Sequence, residues 1–195
     1  MPLDPGTVEA AINGQMDRGD REAAVTEGIR AYGPQLLGYL VTVLRDIESA
    51  REVFAQVCEN LWRGIAAFRR ESTFRAWAYH VAYNAAQDHL RDPFRRRGRR
   101  LATEEVSKLI AAVPTPTPPA ARTSVRGRID ALRAELSPDE QTLLTLRVNR
   151  RLSWAEVAEV LARPEHRDTE AALRKRYERI VRRVREMAAA RGLLE

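Results

Sequence analysis

Apolar residues recur at spacings of three and four along almost the whole chain, and this repeat limits the fold more than any other feature of the sequence. Such spacing places apolar side chains on one face of an α-helix. The alternation of Val, Ile and Thr with polar residues that is typical of half-buried β-strands is missing. A clear example of the helical repeat is the stripe of Ile29, Tyr32, Leu36, Tyr39 and Val43. We therefore predict an all-α protein.

Helix boundaries in the first half of the chain follow from a few local signals. Pro34 interrupts the stripe and predicts a kink or a new start in that helix. The four residues that begin at Ser49, Ser-Ala-Arg-Glu, have the spacing of a capping box and predict the start of the next helix. We expect a loop over 64–73 and then a helix over about 73–91, which ends before Pro93.

A proline-rich stretch divides the chain. Four of the ten prolines lie within 111–119. Such a run is extended and stiff and is poorly suited to a buried core. We therefore predict two helical domains joined by a Pro-rich linker. The predicted parts are an N-terminal segment at 1–22, a first helical domain at 23–102, the linker at 103–124 and a second helical domain at 125–195.

The second domain has its own helix signals. Capping boxes mark helix starts at Ser137 and Ser153, and a break over 163–168 precedes a last helix from about Thr169. Short helices joined by a turn, the last strongly basic, match a helix-turn-helix that places its second helix in the major groove of DNA. A coiled-coil or partner-binding helix is the alternative. The predicted inner face of the last helix consists of Leu173, Tyr177, Ile180, Val184 and Met187.

The net charge of +6 is unevenly distributed. Residues 1–62 hold ten acidic residues against five arginines, whereas 91–100 and 163–185 each carry a net charge of +5. Two separate basic blocks favour a polyanion partner that the protein contacts at two places. The alternative is that these arginines only keep helix faces hydrated.

The helix predicted over 73–91 carries an unusual polar stripe. On a helical wheel Trp77, His80, Asn84, Asp88 and Arg91 fall in one band. One interpretation is an internal network in which Asp88 holds Arg91 and Trp77 is simply packed. The other is a surface that stacks on unpaired bases and forms hydrogen bonds with them, beside a run of arginines that binds the backbone. The residues alone leave both interpretations open.

The segment 77–91 resembles the second conserved region of bacterial sigma factors of the extracytoplasmic function group, within the sigma-70 family. In that family a Trp, an Asn, an Asp and an Arg recur at these spacings on the helix that meets the downstream promoter element. The segment 32–62 and Phe68 resemble the same region. The segment 136–185 is similar to the family's fourth region, a helix-turn-helix that reads the upstream element. The likeness therefore covers both predicted domains.

The resemblance implies a sigma factor that binds core RNA polymerase and promoter DNA and melts the start of the transcription bubble. The residues that it implies for recognition and melting of the −10 element are Phe68, Trp77, His80, Asn84, Asp88, Arg91, Arg95, Arg96 and Arg97. Those that it implies for the −35 element are Thr169, Arg174, Lys175, Arg176, Arg179 and Arg183. Those that it implies for contact with core polymerase are Glu52, Gln56, Glu59 and Trp62.

The chain departs from the family pattern in two places. Arg51 and Glu52 stand where the family has a Glu-Asp pair, and Ala55 stands where a Gln is usual, with Gln56 one place later. The turn over 162–168 is longer than the family's usual turn, which predicts a changed angle for the last helix.

Several classes of protein are not supported by the sequence. It holds neither a phosphate-binding Gly loop nor a paired metal-ligand motif, so we expect no enzyme, no cofactor and no metal ion. Cys58, the single cysteine, is expected in the core rather than as a reactive thiol. No apolar stretch is long enough for a bilayer and the start does not resemble an export signal, so we expect a cytoplasmic protein without membrane contact.

Three candidate partners and two competing functions remain to be named. Besides core RNA polymerase and promoter DNA, an anti-sigma factor is a candidate partner. The first competing function is a helix-turn-helix regulator that does not bind core polymerase. The second is a basic helical adaptor that binds an acidic protein.

Overall fold

The computed structural model describes residues 4–92, 104–114, 131–132, 134–163 and 167–193. These ranges contain helices and the turns between them but no β-strand, which confirms the prediction of an all-α protein. The chain forms two compact units, Met1–Pro116 and Thr117–Glu195. Their division lies inside the stretch 103–124 that the prolines predict as a linker. No helix within the described ranges is long and apolar enough to cross a membrane.

Five helices of the described residues form the first unit. They are α1 (Pro5–Asp17), α2 (Arg21–Leu44), α3 (Ile47–Gly64), α4 (Phe74–Arg91) and α5 (Glu104–Ala112). Helices α2, α3 and α4 pack against one another, and α1 packs against α2 and α4. Their most deeply buried large side chains include Tyr32, Tyr39, Phe54, Phe74 and Tyr79. One 3-10 turn, Ile65–Ala67, follows α3, and α4 begins after its N-cap Thr73, as the sequence predicts.

Helix α3 begins at Ile47, so the capping box predicted to start it at Ser49 is wrong. Asp46 is the N-cap, and its carboxylate accepts a hydrogen bond from the backbone N–H of Ser49 at 2.7 Å. Hydrogen bonds from Ser49 to this carboxylate lower the pKa of Asp46. Aspartate is among the most favourable N-caps, and its position places Ser49 inside the first turn.

Helix α2 is continuous through Pro34, so the predicted restart does not occur. A proline lacks the N–H for the helical ladder and crowds the residue before it. Here that residue is Gly33, which has no Cβ to be crowded. The carbonyl left without its helical partner belongs to Arg30, and both Arg30 and Pro34 are exposed to water.

Part of the predicted linker belongs to the first unit. Helix α5 packs against α2 and α3 with Leu109 buried. Just beyond it, Val113 lies against Gly33: a Cβ on that glycine would come within 2.9 Å of Val113 Cγ2. The segment 104–113 of the predicted linker therefore packs on the first unit.

The second unit contains the helices α6 (Pro138–Leu144), α7 (Trp154–Val160) and α8 (Glu170–Ala190), with a π-helical turn, Thr145–Asn149, after α6. Both predicted capping boxes are present: Ser137 pairs with Glu140, and Ser153 pairs with Glu156. Thr169 caps α8 at the predicted place. Helices α6 and α7 both pack against α8.

The inner face of α8 agrees in part with the predicted spacing. Leu173 and Ile180 are buried, whereas Tyr177, Val184 and Met187 are partly exposed. A small domain buries a smaller share of its surface than a large one. The second unit therefore has too little core to bury all five apolar side chains of this helix.

Candidate nucleic-acid interface

Three aromatic rings meet where the loop after α3 enters α4. The rings of Phe68 and Trp77 are stacked, with centroids 4.8 Å apart and planes 21° apart. Phe74 meets Trp77 edge-on at 5.4 Å and is buried, whereas Phe68 and Trp77 are partly exposed. Gly64 allows this arrangement, since a Cβ there would lie 3.0 Å from Trp77 Cζ2. The Phe68–Trp77 pair therefore forms a stacked aromatic platform at the surface.

The polar band predicted on α4 lies beside this platform, and its members pair with one another. The side-chain amide of Asn84 and the ring of His80 are 2.9 Å apart, and Arg91 forms an ion pair with Asp88 at 3.0 Å. The pairing of Asp88 with Arg91 agrees with the internal-network interpretation. All of these side chains nevertheless reach the surface. Exposed pairs of this kind contribute only about 0–1 kcal/mol, so they can exchange for contacts with DNA.

The first turn of α4 is held from α1. The carboxylate of Glu9 accepts hydrogen bonds from the backbone N–H groups of Phe74 at 2.8 Å and Arg75 at 3.0 Å. It also accepts a hydrogen bond from the hydroxyl of Tyr32 at 2.9 Å. Glu9 was not among the predicted site residues, and no local sequence signal indicates it, because its partners on α4 are 65 and 66 residues away.

The outward face of α8 in the second unit is basic. Lys175, Arg179 and Arg182 are all exposed on the side opposite Leu173 and Ile180. Within the ranges that the structure describes, these three side chains form no ion pair. Arg182 was not among the predicted site residues, although its place on the helical wheel beside Lys175, seven residues earlier, could have indicated it.

Two other predicted arginines of α8 are paired with acidic residues of α6. Arg183 forms an ion pair with Glu140 at 3.2 Å, and Arg176 lies 3.7 Å from the carboxylate of Asp139. Burial by itself would raise the pKa of Glu140. The hydrogen bonds from Ser137 and the charges of Arg183 and Arg176 outweigh burial and hold that pKa below its usual value. These two arginines therefore lie toward α6, at one side of the outward face.

The start of α8 adjoins an aromatic and cationic cluster. The guanidinium of Arg147 lies 4.3 Å from the ring centre of Trp154, and that of Arg174 lies 5.8 Å from it. Tyr177 meets Trp154 edge-on at 5.6 Å. Arg174 is also paired with Glu170 at 2.9 Å. Cation–π contacts of this type fix the direction of the charged group as well as adding attraction.

The residues predicted to contact core polymerase on α3 differ in exposure. Glu52 is exposed, and Gln56 and Trp62 are partly exposed, with Gln56 donating a hydrogen bond to Asn60 at 2.9 Å. Glu59 is only 7% exposed, and its carboxylate lies 3.5 Å from Arg63. Glu59 is therefore the least exposed of the four predicted residues.

The remaining predicted residues have simple placements. Thr169 is exposed and is the N-cap of α8. Its hydroxyl accepts a hydrogen bond from the backbone N–H of Ala172 at 3.2 Å. Arg95, Arg96 and Arg97 lie outside the described residues.

Cys58 is buried, and burial raises the pKa of its thiol to about 12, which fits a core residue. Across the described ranges no three His, Cys, Asp or Glu side chains gather in a group that could hold a metal ion.

Most of the chain is similar to known proteins. Residues 29–97, which carry the aromatic platform and the polar band, match the sigma-70 region 2 family. Over 160 residues the chain is 26% identical to the RNA polymerase sigma-H factor of Pseudomonas aeruginosa, covering 77% of this chain and 80% of that protein. Over 136 residues it is 29% identical to the RNA polymerase sigma factor YlaC of Bacillus subtilis, covering 68% and 76%. The chain belongs to the sigma-70 family, as a sigma factor of the extracytoplasmic function type.

Proposed function

We propose that this protein binds core RNA polymerase and directs it to promoters, with the first unit melting DNA at the −10 element and α8 of the second unit reading the −35 element. The observation that carries the proposal is the Phe68–Trp77 platform beside the polar band of α4, inside the region that matches sigma-70 region 2. No catalytic step is assigned to this chain, since polymerase supplies the chemistry of RNA synthesis.

Melting in this proposal is driven by capture of unpaired bases. Removing a base from the duplex stack costs a few kcal/mol. Stacking on an aromatic side chain contributes about 1–3 kcal/mol per base, so one or two bases held at Phe68 and Trp77 offset the cost of opening the first pairs. Asn84 and His80 lie on the same helix and supply hydrogen bonds to base edges. Pyrimidine–purine steps, which unstack easily, are the preferred starting points.

Recognition of the −35 element uses the outward face of α8. Lys175, Arg179 and Arg182 are exposed along one side of the helix and are suited to phosphates and guanine edges. Arg174 is directed by Trp154 and Glu170 at the helix start. Arg176 and Arg183 contribute at the side nearest α6, where Asp139 and Glu140 compete with DNA for them.

Docking on polymerase uses the exposed side of α3, with Glu52, Gln56 and Trp62 as contacts. Glu48 and Arg51 form an exposed ion pair on the same helix at 3.0 Å, beside the position where this chain departs from the family pattern. The place of action is the cytoplasm, where polymerase transcribes. An anti-sigma factor that covers α3 or α8 remains a candidate regulator.

Run-off transcription with purified core polymerase tests the proposal. Adding this protein should produce promoter-dependent transcripts that are absent with core polymerase alone. A regulator that does not bind polymerase, or a protein adaptor, gives none. The absence of transcripts and of a complex with core polymerase would therefore refute the sigma-factor role.

The substitution Trp77→Ala tests the melting step by itself. We expect it to reduce the yield of open complex about tenfold or more while initial capture of duplex promoter is retained, because the stacking contribution is lost only after bases unpair. Leu90→Ala is a matched control, since Leu90 is an exposed apolar residue on the other side of α4. Equal loss of capture and opening in the Trp77 variant would contradict a melting role for the platform.

A further inference from the structure

The carboxylate of Glu9 occupies the N-terminal end of α4. Its two oxygens receive the N–H groups of Phe74 and Arg75 separately, while the N-cap Thr73 receives the N–H of Ala76. A carboxylate at this position also interacts favourably with the positive end of the helix dipole. The first turn of α4 is thus fixed by a residue from another helix.

A second contact from α1 holds the loop that carries Phe68. Asp17, the last residue of α1, forms an ion pair with Arg70. Arg70 has φ of 58°, in the left-handed region that side chains other than glycine rarely adopt. A strained residue persists only where its surroundings hold it in place. Asp17 supplies such a restraint in the middle of the loop between the 3-10 turn and α4.

The hydroxyl of Tyr32 ties Glu9 to the core. Tyr32 is 1% exposed, and its ring stacks on Phe74 at a centroid distance of 6.4 Å with planes 20° apart. Phe74 in turn meets both rings of the platform edge-on, Phe68 at 6.0 Å and Trp77 at 5.4 Å. A chain of contacts therefore runs from Glu9 through Tyr32 and Phe74 to the platform. Burial, together with the nearby charge of Glu9, raises the pKa of Tyr32, so its hydroxyl stays a donor.

We propose that Glu9 is a positioning residue for promoter melting, with Asp17 as a second anchor, and that α1 thereby sets the geometry of the Phe68–Trp77 platform. The inference rests on the proposed function of that platform. Bases are captured efficiently only if the two rings are already in place, because ordering them during capture would subtract from the stacking energy. Helix α1 lies before the segment that matches region 2, yet it holds both the loop and the start of the helix that form the platform.

The test begins with Glu9→Gln, which keeps the shape of the side chain. A glutamine has one acceptor oxygen, so either Phe74 or Arg75 must face an NH₂ group instead of an oxygen. Glu22→Gln is the control: it removes the same charge from an exposed position in the first turn of α2. Asp17→Asn is a second variant, and its exposed position keeps the fold intact.

Accessibility of the platform is measured in the full chain without polymerase. The protein has three tryptophans, and Trp62→Phe with Trp154→Phe leaves Trp77 as the reporter. We expect the acrylamide quenching constant of Trp77 to rise by about twofold in Glu9→Gln and to rise less in Asp17→Asn. The Glu22 variant should not change it. An unchanged quenching constant in Glu9→Gln overturns the inference.

Transcription then compares duplex promoter with the same promoter carrying a pre-melted bubble, using chains with all native tryptophans. Glu9→Gln should lower open-complex formation on duplex about tenfold, the loss expected for one hydrogen bond to a charged group, and should leave initial capture and the pre-melted template unaffected. An equal loss on both templates points to a general structural defect and overturns the positioning role. If the unaltered protein yields no transcript from either template, the proposed function itself fails, whereas the quenching result still reports on the anchor.

Discussion

Gly28, in the interior of α2, has no room for a side chain because it lies against Phe74. A Cβ on Gly28 would lie 2.1 Å from Phe74 Cε1, 2.4 Å from Cζ and 2.8 Å from Cδ1. Phe74 cannot swing away, because it is 1% exposed, its ring is stacked on Tyr32 and its N–H is held by Glu9. The substitution Gly28→Ala must therefore displace the start of α4 from α2.

The expected change in the free energy of unfolding of Gly28→Ala is the balance of two opposing effects. Overpacking of a rigid core costs about 1–3 kcal/mol, and contact with three atoms of one enclosed ring places this site at the upper end. Alanine improves helix propensity over glycine by about 1 kcal/mol. The expected net loss in the free energy of unfolding of the first unit is therefore about 2 kcal/mol.

Urea unfolding followed by tryptophan fluorescence measures this loss. In a chain that carries Trp154→Phe, the remaining Trp62 and Trp77 both report on the first unit. With an m-value of about 1.5 kcal/mol/M, the midpoint should fall by about 1.3 M. The matched control is Gly14→Ala in α1, where a Cβ meets only the flexible Arg18 side chain at 3.6 Å. That variant should be more stable by about 0.5–1 kcal/mol.

The two glycine variants together test the close contact between Phe74 and α2. If Gly28→Ala were as stable as the unaltered chain, the close approach of Phe74 to α2 would be refuted, and the placement of the platform with it. If both variants were destabilised equally, the cause would be a property of glycine in these helices rather than the contact with Phe74.

Two further predictions concern the second unit. The pKa of Glu140 is lowered in the folded state, so its stabilising contribution is complete above its ordinary value of 4.5 and is lost as pH falls through the lower folded-state value. Glu140→Gln should remove this acid-dependent part of stability when unfolding is followed by Trp154 fluorescence. An unchanged pH profile would contradict the stabilisation of the carboxylate by the hydrogen bonds from Ser137 and by the charge of Arg183. Lys175→Ala and Arg179→Ala should each weaken −35 binding by the holoenzyme and reduce the slope of log K against log salt by about 1. Arg191→Ala, whose side chain pairs with Glu135, serves as control, and an equal change in slope would argue against the outward face of α8.

Local features of the fold and site could be predicted from the sequence. The capping boxes at Ser137 and Ser153 and the start of α4 near residue 73 are present because each depends on partners only three residues away. The band on α4 likewise follows from helical periodicity, which fixes that Trp77 and Asn84 share a side. Whether the band was an internal network or a surface could not be decided in this way, and the structure contains elements of both.

Where a local sequence signal was ambiguous, the rest of the molecule decided where a helix begins or continues. Asp46 and Ser49 are both good caps, and the sequence pattern favoured the second because a Glu follows it, whereas the chain begins the helix after the first. Pro34 is tolerated because of the glycine before it and the water around it. The helix in the predicted linker is held by contacts of Leu109 and Val113 with residues far back in the chain.

The sequence by itself determined that this protein is helical, where α4, α6, α7 and α8 begin and which residues share a helix face, because those properties depend on neighbours within one or two turns. Only the tertiary structure decided that Glu59 is buried, that Phe68 stacks on Trp77 and that Glu9 holds the start of a helix 65 residues away. Burial and long-range hydrogen bonds exist only after helices pack, and the spacing of residues in one segment carries no information about which surface another segment will cover.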